Sequence, residues 1–396
     1  MADVDVLIVG AGPAGSAAAE TLRAEGFVGS ILLAGRELDA PYDRTPASKS
    51  YLQGRSSKQD ALLYPDAFWG ARDIDLRTRT SVMKIDTAAR VATLSTKEQI
   101  AYDKALIATG ANVRRLRVDG AALAGIHYLR TLGNADALRA EAEAASSVVL
   151  IGGSYIGCEV AASLTTMGKP CTIVAMESAP MVTGFGATAG RFVGDLLASK
   201  GIEVAMGETL ARFEGAGERV ERVVCESGRT IDADLVVMGT GAVPDVMLAR
   251  SAGLELGESG GVRCDARLRT SADGVWAAGD ICEYESAIHG RRLRVEHWEV
   301  ARAQGAFAAR SMLGSEEDYR EIPYFWSDLA DWVTLEYVGP AQAWEREVVR
   351  GSVEDGEFTI FYLDRDDAVV AALTVGRPAD LDEARGLMAS GAPLAA

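Results

Sequence analysis

The sequence predicts an α/β fold of two Rossmann-like nucleotide-binding domains followed by a smaller C-terminal α+β domain. Three observations carry this prediction. A buried-strand pattern, Val4 to Val9, runs directly into Gly10-Ala11-Gly12-Pro13-Ala14-Gly15 and a helix of small residues. The same order of strand, glycine turn and helix returns at Ser147 to Glu159. From about Glu317 the pattern becomes a series of short strands closed by one helix, Leu381 to Met388. A repeat of this kind indicates two nucleotide-binding domains in one chain, and two nucleotides point to electron traffic between them.

In the first unit each glycine has a task. Gly10 allows the tight turn, Gly12 lets a pyrophosphate approach the backbone, and Gly15 lets helix and strand pack closely. The phosphates then meet the free N–H groups at the helix N-terminus. Glycine is common here, 42 of 396 residues, so the triplet gains its meaning from the flanking strand and helix. A second strand follows at Ile31 to Ala34, with an acid, Glu37, just beyond it.

The stretch Pro41-Tyr42-Asp43-Arg44-Thr45-Pro46-Ala47-Ser48-Lys49 reads as a loop opening a helix near Ser48. A cation in a first helical turn opposes the helix dipole. Lys49 therefore either faces a negative group or is a solvated surface lysine. Residues 80–107 read as strands, the last ending on Ala108-Thr109-Gly110, at the sheet edge where doubly wound folds bind ligands.

The second fingerprint is Gly152-Gly153-Ser154-Tyr155-Ile156-Gly157, with Ser154 in the place of the middle glycine. Its helix runs from Cys158 to Met167 and leads to a strand at Cys171 to Val174. Leu235 to Met238, ending on Gly239-Thr240-Gly241, mirrors the strand before Gly110. Gly274 to Asp280 is a buried strand running into Gly279-Asp280. Asp280 reads as a helix N-cap, as an acceptor for a ribityl or ribose hydroxyl, or as both. His297 and Trp298 precede a helix, Val300 to Met312, and taken alone read as packed residues.

Composition narrows the function. The 40 Lys+Arg against 57 Asp+Glu leave a formal charge of −17, which argues against a nucleic-acid or anionic-membrane partner. No apolar run approaches a membrane span. The first strand begins a few residues after Met1, and Asp3 and Asp5 stand where a signal peptide would be basic. Five cysteines lie scattered without a C-x-x-C, which fits a reducing, cytoplasmic compartment. Three histidines with no ligand spacing predict no metal site.

Taken together, these motifs resemble the FAD-dependent pyridine-nucleotide reductases that feed ferredoxins or rubredoxins in bacterial oxygenase and cytochrome P450 systems. The resemblance spans essentially the whole chain. It rests on Gly10 to Gly15, Tyr42-Asp43-Arg44 to Ser48-Lys49, Ala108-Thr109-Gly110, Gly152 to Glu159, Ala278-Gly279-Asp280, Val295-Glu296-His297-Trp298 and Pro323 to Ser327. It implies a glutathione-reductase-like layout: a discontinuous FAD domain (1–112 and 243–317), an inserted NAD domain (113–242) and a C-terminal interface domain (318–396).

Carried over, Gly10, Gly12, Ala14 and Gly15 would hold the FAD pyrophosphate and Glu37 would lie near its ribose, though Arg36 stands where the family has a further acid. Arg44, Ala108, Thr109, Gly110, Gly279 and His297 would complete the FAD site, with Asp280 on the ribityl chain. Lys49 resembles the lysine beside flavin N5, Glu159 its ion-pair partner, and Trp298 the tryptophan between the isoalloxazine and the outer face. Gly152, Gly153, Ser154, Tyr155, Ile156, Gly157, Glu159, Glu177 and Gly241 would bind NAD. Between Ala175 and Gly190 there is Glu177 but no Lys or Arg to take a 2′-phosphate, so NADH is the expected donor.

The expected partner is a small acidic iron–sulfur protein of ferredoxin type, docking on Arg291, Arg292 and Arg294 unless these are merely solvated. The oligomeric state stays open. No cysteine precedes Cys158, which disfavours a disulfide reductase. The alternatives are an NADH oxidase or quinone reductase, and a redox-sensing interaction flavoprotein resembling apoptosis-inducing factor.

Overall fold

The computed structural model describes residues 3–341 and 343–394. The chain forms two compact units: 1–43, 62–112 and 243–325 make the first, and 44–61, 113–242 and 326–396 the second. The segment 44–61, kept with the FAD portion on sequence, belongs to the second unit, because the turn at Thr45–Ser48 packs on the helix Tyr155–Thr166.

In the first unit the strands Ile74–Arg77, Ile31–Ala34, Val4–Val9 and Gln99–Ile107 pair side by side in parallel. Gln99–Ile107 is long enough to pair twice on its far side. Residues 99–101 meet the hairpin strand Val91–Leu94, and 105–107 meet Val275–Ala277. The central strands are runs of Val, Leu and Ile buried on both faces, as parallel sheets require. The registers Val9↔Ala34, Val9↔Ile107 and Ala277↔Ile107 bring four strand ends level, and the fingerprint turn leaves from that edge.

The second unit repeats the plan. Its parallel sheet runs Glu203–Met206, Cys171–Ala175, Val148–Ile151, Leu235–Met238, Ile126–Tyr128. A three-stranded antiparallel sheet (Leu210–Glu214, Arg222–Cys225, Thr230–Asp232) accompanies it. The C-terminal sheet is ordered Tyr324–Leu329, Val333–Val338, Val369–Val375, Glu357–Leu363, Arg346–Ser352, and the helix Ala379–Ser390 packs on it.

Two local expectations change. No α-helix opens at Ser48: Thr45–Ser48 is a single 3₁₀ turn with Pro46 in its first positions, and Lys49 caps its C-terminus. The dipole there favours a cation, so its sign is the reverse of the expected one. The helix expected from Val300 begins at Trp298, with His297 as its N-cap. Among the described residues no helix is long and apolar enough to cross a membrane.

Candidate functional site

The two fingerprints have the same geometry, each on its own sheet. Gly10 has φ +112 and Gly152 φ +106, conformations that glycine alone adopts readily. A Cβ on Gly10 would sit 2.1 Å from the carbonyl oxygen of Ala108, and one on Gly152 2.4 Å from that of Gly239. A Cβ on Gly15 would fall 1.9 Å from the Gly10 oxygen, and one on Gly157 2.1 Å from the Gly152 oxygen. These glycines let helix and strand touch.

The middle position differs. A Cβ on Gly12 would meet nothing within 4 Å, so its backbone faces open space where a phosphate can approach. Gly12 has φ −82, ψ −169 and Ser154 has φ −84, ψ −176, ordinary extended values. The Ser154 hydroxyl turns back and donates to the Gly239 carbonyl at 3.1 Å, which keeps it off the helix N-terminus. Neither helix start has a side-chain cap, so each leaves N–H groups for an anion.

The remaining residues of the first unit expected at FAD gather on the same edge. Ala108 continues the strand, its N–H donating to Val9 at 2.8 Å. The Thr109 hydroxyl donates to the Asp245 carbonyl at 2.7 Å, and the Gly110 carbonyl accepts from the Asp245 N–H at 2.8 Å. Glu37 lies half-buried and its carboxylate accepts the Tyr42 hydroxyl at 2.5 Å. Arg36, the departure from the family pattern, pairs with Asp245 at 2.8 Å and reaches Asn112 at 2.7 Å. Gly279, with φ +79, sets the turn into Asp280.

His297 stacks on Phe325, rings 3.8 Å apart and 13° from parallel. Burial pushes its imidazole down to about 4, against a smaller opposing pull from Asp280. The Arg302 guanidinium lies 5.0 Å over the Trp298 ring, a cation–π contact at the helix start.

In the second unit the ion pair is formed: Lys49 Nζ lies 2.8 Å from Glu159, whose side chain is 4% exposed. Two partners went unread in the sequence. The Ser48 hydroxyl donates to the same carboxylate oxygen at 2.5 Å, and the Ser327 hydroxyl donates to the other at 2.8 Å. Both serines were in plain view inside recognised motifs, but nothing in their spacing announces a shared carboxylate. Arg44 reaches the Arg130 carbonyl at 3.1 Å. Tyr155, at the start of its helix, lies against Phe185, ring centroids 5.2 Å apart.

Glu177 stands two residues past the strand end Ala175, half-buried, its carbonyl accepting from the Gly207 N–H at 3.0 Å. Gly241, with φ +87, accepts from the Arg114 N–H at 2.9 Å.

The three arginines expected to form a docking patch differ in their surroundings. Arg294 donates to the Asp280 carbonyl at 3.1 Å and pairs with Glu296. Arg292 donates to the Cys264 carbonyl at 2.7 Å. Of the three, only Arg291 is exposed. All five cysteines are buried and unbridged, and burial pushes the Cys158 thiol well up, so it serves packing.

Against known proteins, the pyridine nucleotide-disulphide oxidoreductase family matches residues 4–305 and the reductase C-terminal family residues 324–396. The ferredoxin–NAD(+) reductase component of the anthranilate 1,2-dioxygenase system of Burkholderia cepacia is 35% identical over 98% of this chain and 94% of its own. The ferredoxin reductase for the CYP199A2 system of Rhodopseudomonas palustris superposes with a TM-score of 0.94 at 32% identity, covering 98% of this chain and 95% of that one. Putidaredoxin reductase, from its covalent complex with putidaredoxin, superposes with a TM-score of 0.93 at 31% identity, covering 98% and 94%. With two dinucleotide turns of matching geometry and a reductase-type C-terminal domain, the chain belongs to the pyridine nucleotide-disulphide oxidoreductase family, in its ferredoxin- and rubredoxin-reductase branch.

Proposed function

We propose that this chain takes electrons from NADH and passes them through FAD to a small iron–sulfur protein of ferredoxin type that serves an oxygenase, within the cytoplasm. The observation that carries the reading is the duplicated glycine turn, one per unit, each with an uncapped helix start. Bound FAD supplies the conversion of a hydride donor's electron pair into single-electron release.

The residues fit that group and divide the remaining work. The turn Gly10 to Gly15 and the N–H groups behind Gly12 hold phosphate. Asp280 and Glu37 accept hydroxyls. Lys49 provides a fixed cation for flavin reduction, held in one place because Glu159 is gripped from three sides, by Ser48, Lys49 and Ser327. A buried carboxylate with all its donors supplied orients its partner without leaving an unmet charge.

The test mixes the purified protein and NADH with and without candidate ferredoxins. The expected outcome is a yellow protein whose NADH consumption rises strongly with a ferredoxin. Equal consumption without any carrier would establish the oxidase or quinone reductase instead. Slow turnover with every acceptor, joined to a change of assembly on adding NADH, would establish the redox sensor.

A further inference from the structure

Gln304 is 0% exposed, in the middle of the helix Trp298–Met312. Its Oε1 accepts the backbone N–H of Gly279 at 2.9 Å. That bond fixes the orientation of the carboxamide, since a flipped amide would set a donor against a donor. The other end, Nε2 with two hydrogens, is buried and has no hydrogen-bond partner in the protein. Covalent geometry places Nε2 only about 2.2 Å from Oε1, so it lies at the Gly279 turn as well.

Three segments of the FAD site meet there. A Cβ on Gly279 would lie 3.2 Å from the Ala14 Cβ of the fingerprint, and one on the neighbouring Gly305 only 2.0 Å from the Ala14 carbonyl oxygen. Asp280 follows Gly279 directly. Fully buried donors are nearly always paired, and one left open beside a ligand cradle calls for a partner the polypeptide does not supply.

We propose that Gln304 is a positioning residue for FAD. Its Oε1 holds the turn that presents Asp280, and its Nε2 donates to an acceptor oxygen of the bound cofactor.

Gln304→Glu separates the two halves of this role. The carboxylate keeps an acceptor for the Gly279 N–H but replaces the donor end with an oxygen. Apoprotein is prepared and titrated with FAD by flavin fluorescence, and the melting temperature of each apoprotein is measured. The expected result for Gln304→Glu is an apoprotein that melts close to wild type at pH 6, where burial keeps the carboxyl protonated, and an FAD Kd raised about tenfold or more at pH 8. The loss should deepen as pH rises, because a protonated carboxyl still donates and an ionised one does not. Gln304→Met, which removes both ends, should bind FAD more weakly still.

An unchanged Kd in both variants overturns the proposal. So does a fall in apoprotein melting temperature with no change in Kd, which would assign Gln304 to packing or to a trapped water. A wild-type apoprotein that takes up no FAD would fail the cofactor reading itself, a separate outcome.

Discussion

At the scale of single residues, the Lys49–Glu159 pair is the contact on which most depends. Its lysine is 17% and its glutamate 4% exposed, so cutting it leaves a buried carboxylate without its cation. Lys49→Ala should cost about 3–5 kcal/mol if Glu159 stays charged, and should slow flavin reduction by NADH at least tenfold with FAD content intact. Stopped-flow absorbance and urea unfolding read the two effects, and unchanged reduction kinetics would remove Lys49 from the chemistry. His297 makes a prediction about pH. Its ring falls from 6.5 when unfolded to about 4 when folded, so between these values the unfolded chain binds a proton that the folded chain refuses. Stability from this group is complete above pH 6.5 and is lost as pH falls through the window. Urea unfolding at pH 7 and pH 5 should show wild type losing more than His297→Phe, whereas equal losses would mean that the ring is not shielded in solution.

At the scale of elements, the turns explain both a rule and its exception. Gly15→Ala drives a methyl into the Gly10 carbonyl, 1.9 Å away, and should cost about 1–3 kcal/mol or more and most of the bound FAD. Gly12→Ser meets open space and an extended backbone, as Ser154 does, and should change unfolding free energy by no more than about 0.5 kcal/mol. Thermal melts of the two apoproteins decide it, and equal damage from both would contradict the geometry. The strand end at Ala175 carries a further prediction. Glu177→Ala should lower the ratio of kcat/KM for NADH over NADPH, and an unmoved ratio would place cofactor choice elsewhere.

The central strands were legible because Val, Leu and Ile runs on doubly covered sheets announce themselves. The helical stretch Val182–Ser199, kinked at Gly186 where φ is +79, was not legible. Its glycines lower helix propensity, yet two are required, since a Cβ on Gly184 would sit 2.1 Å from the Tyr155 hydroxyl and one on Gly186 2.0 Å from Glu347. The single turn at Thr45–Ser48 escaped notice because Pro46 suits a 3₁₀ turn and an α-helix start equally. Partners such as Ser327 and Gln304 act across long sequence distances, which no periodicity encodes.

At the scale of the molecule, charge governs the encounter with a carrier. A chain of net charge −17 repels an acidic partner at long range, so attraction must be local and short-lived in salt. Of Arg291, Arg292 and Arg294, Arg291 is the exposed one. Arg291→Glu should lower kcat/KM for a ferredoxin about threefold at low ionic strength, with the gap closing as salt rises. Identical values at every salt concentration would move the docking face away from Arg291.

The carboxylate of Glu159 also sets a schedule. It collects Ser48 and Lys49 from 111 and 110 residues upstream and Ser327 from 168 residues downstream. On a ribosome, which adds about 5–20 residues per second, the first two partners are waiting when Glu159 emerges. The third arrives roughly 8–34 s later at that pace, and until then one carboxylate oxygen lacks its donor. Refolding of the intact chain should accordingly bring this site together last, after each nucleotide-binding sheet has closed, because contacts of such long separation form only once local structure has shortened the loop between them.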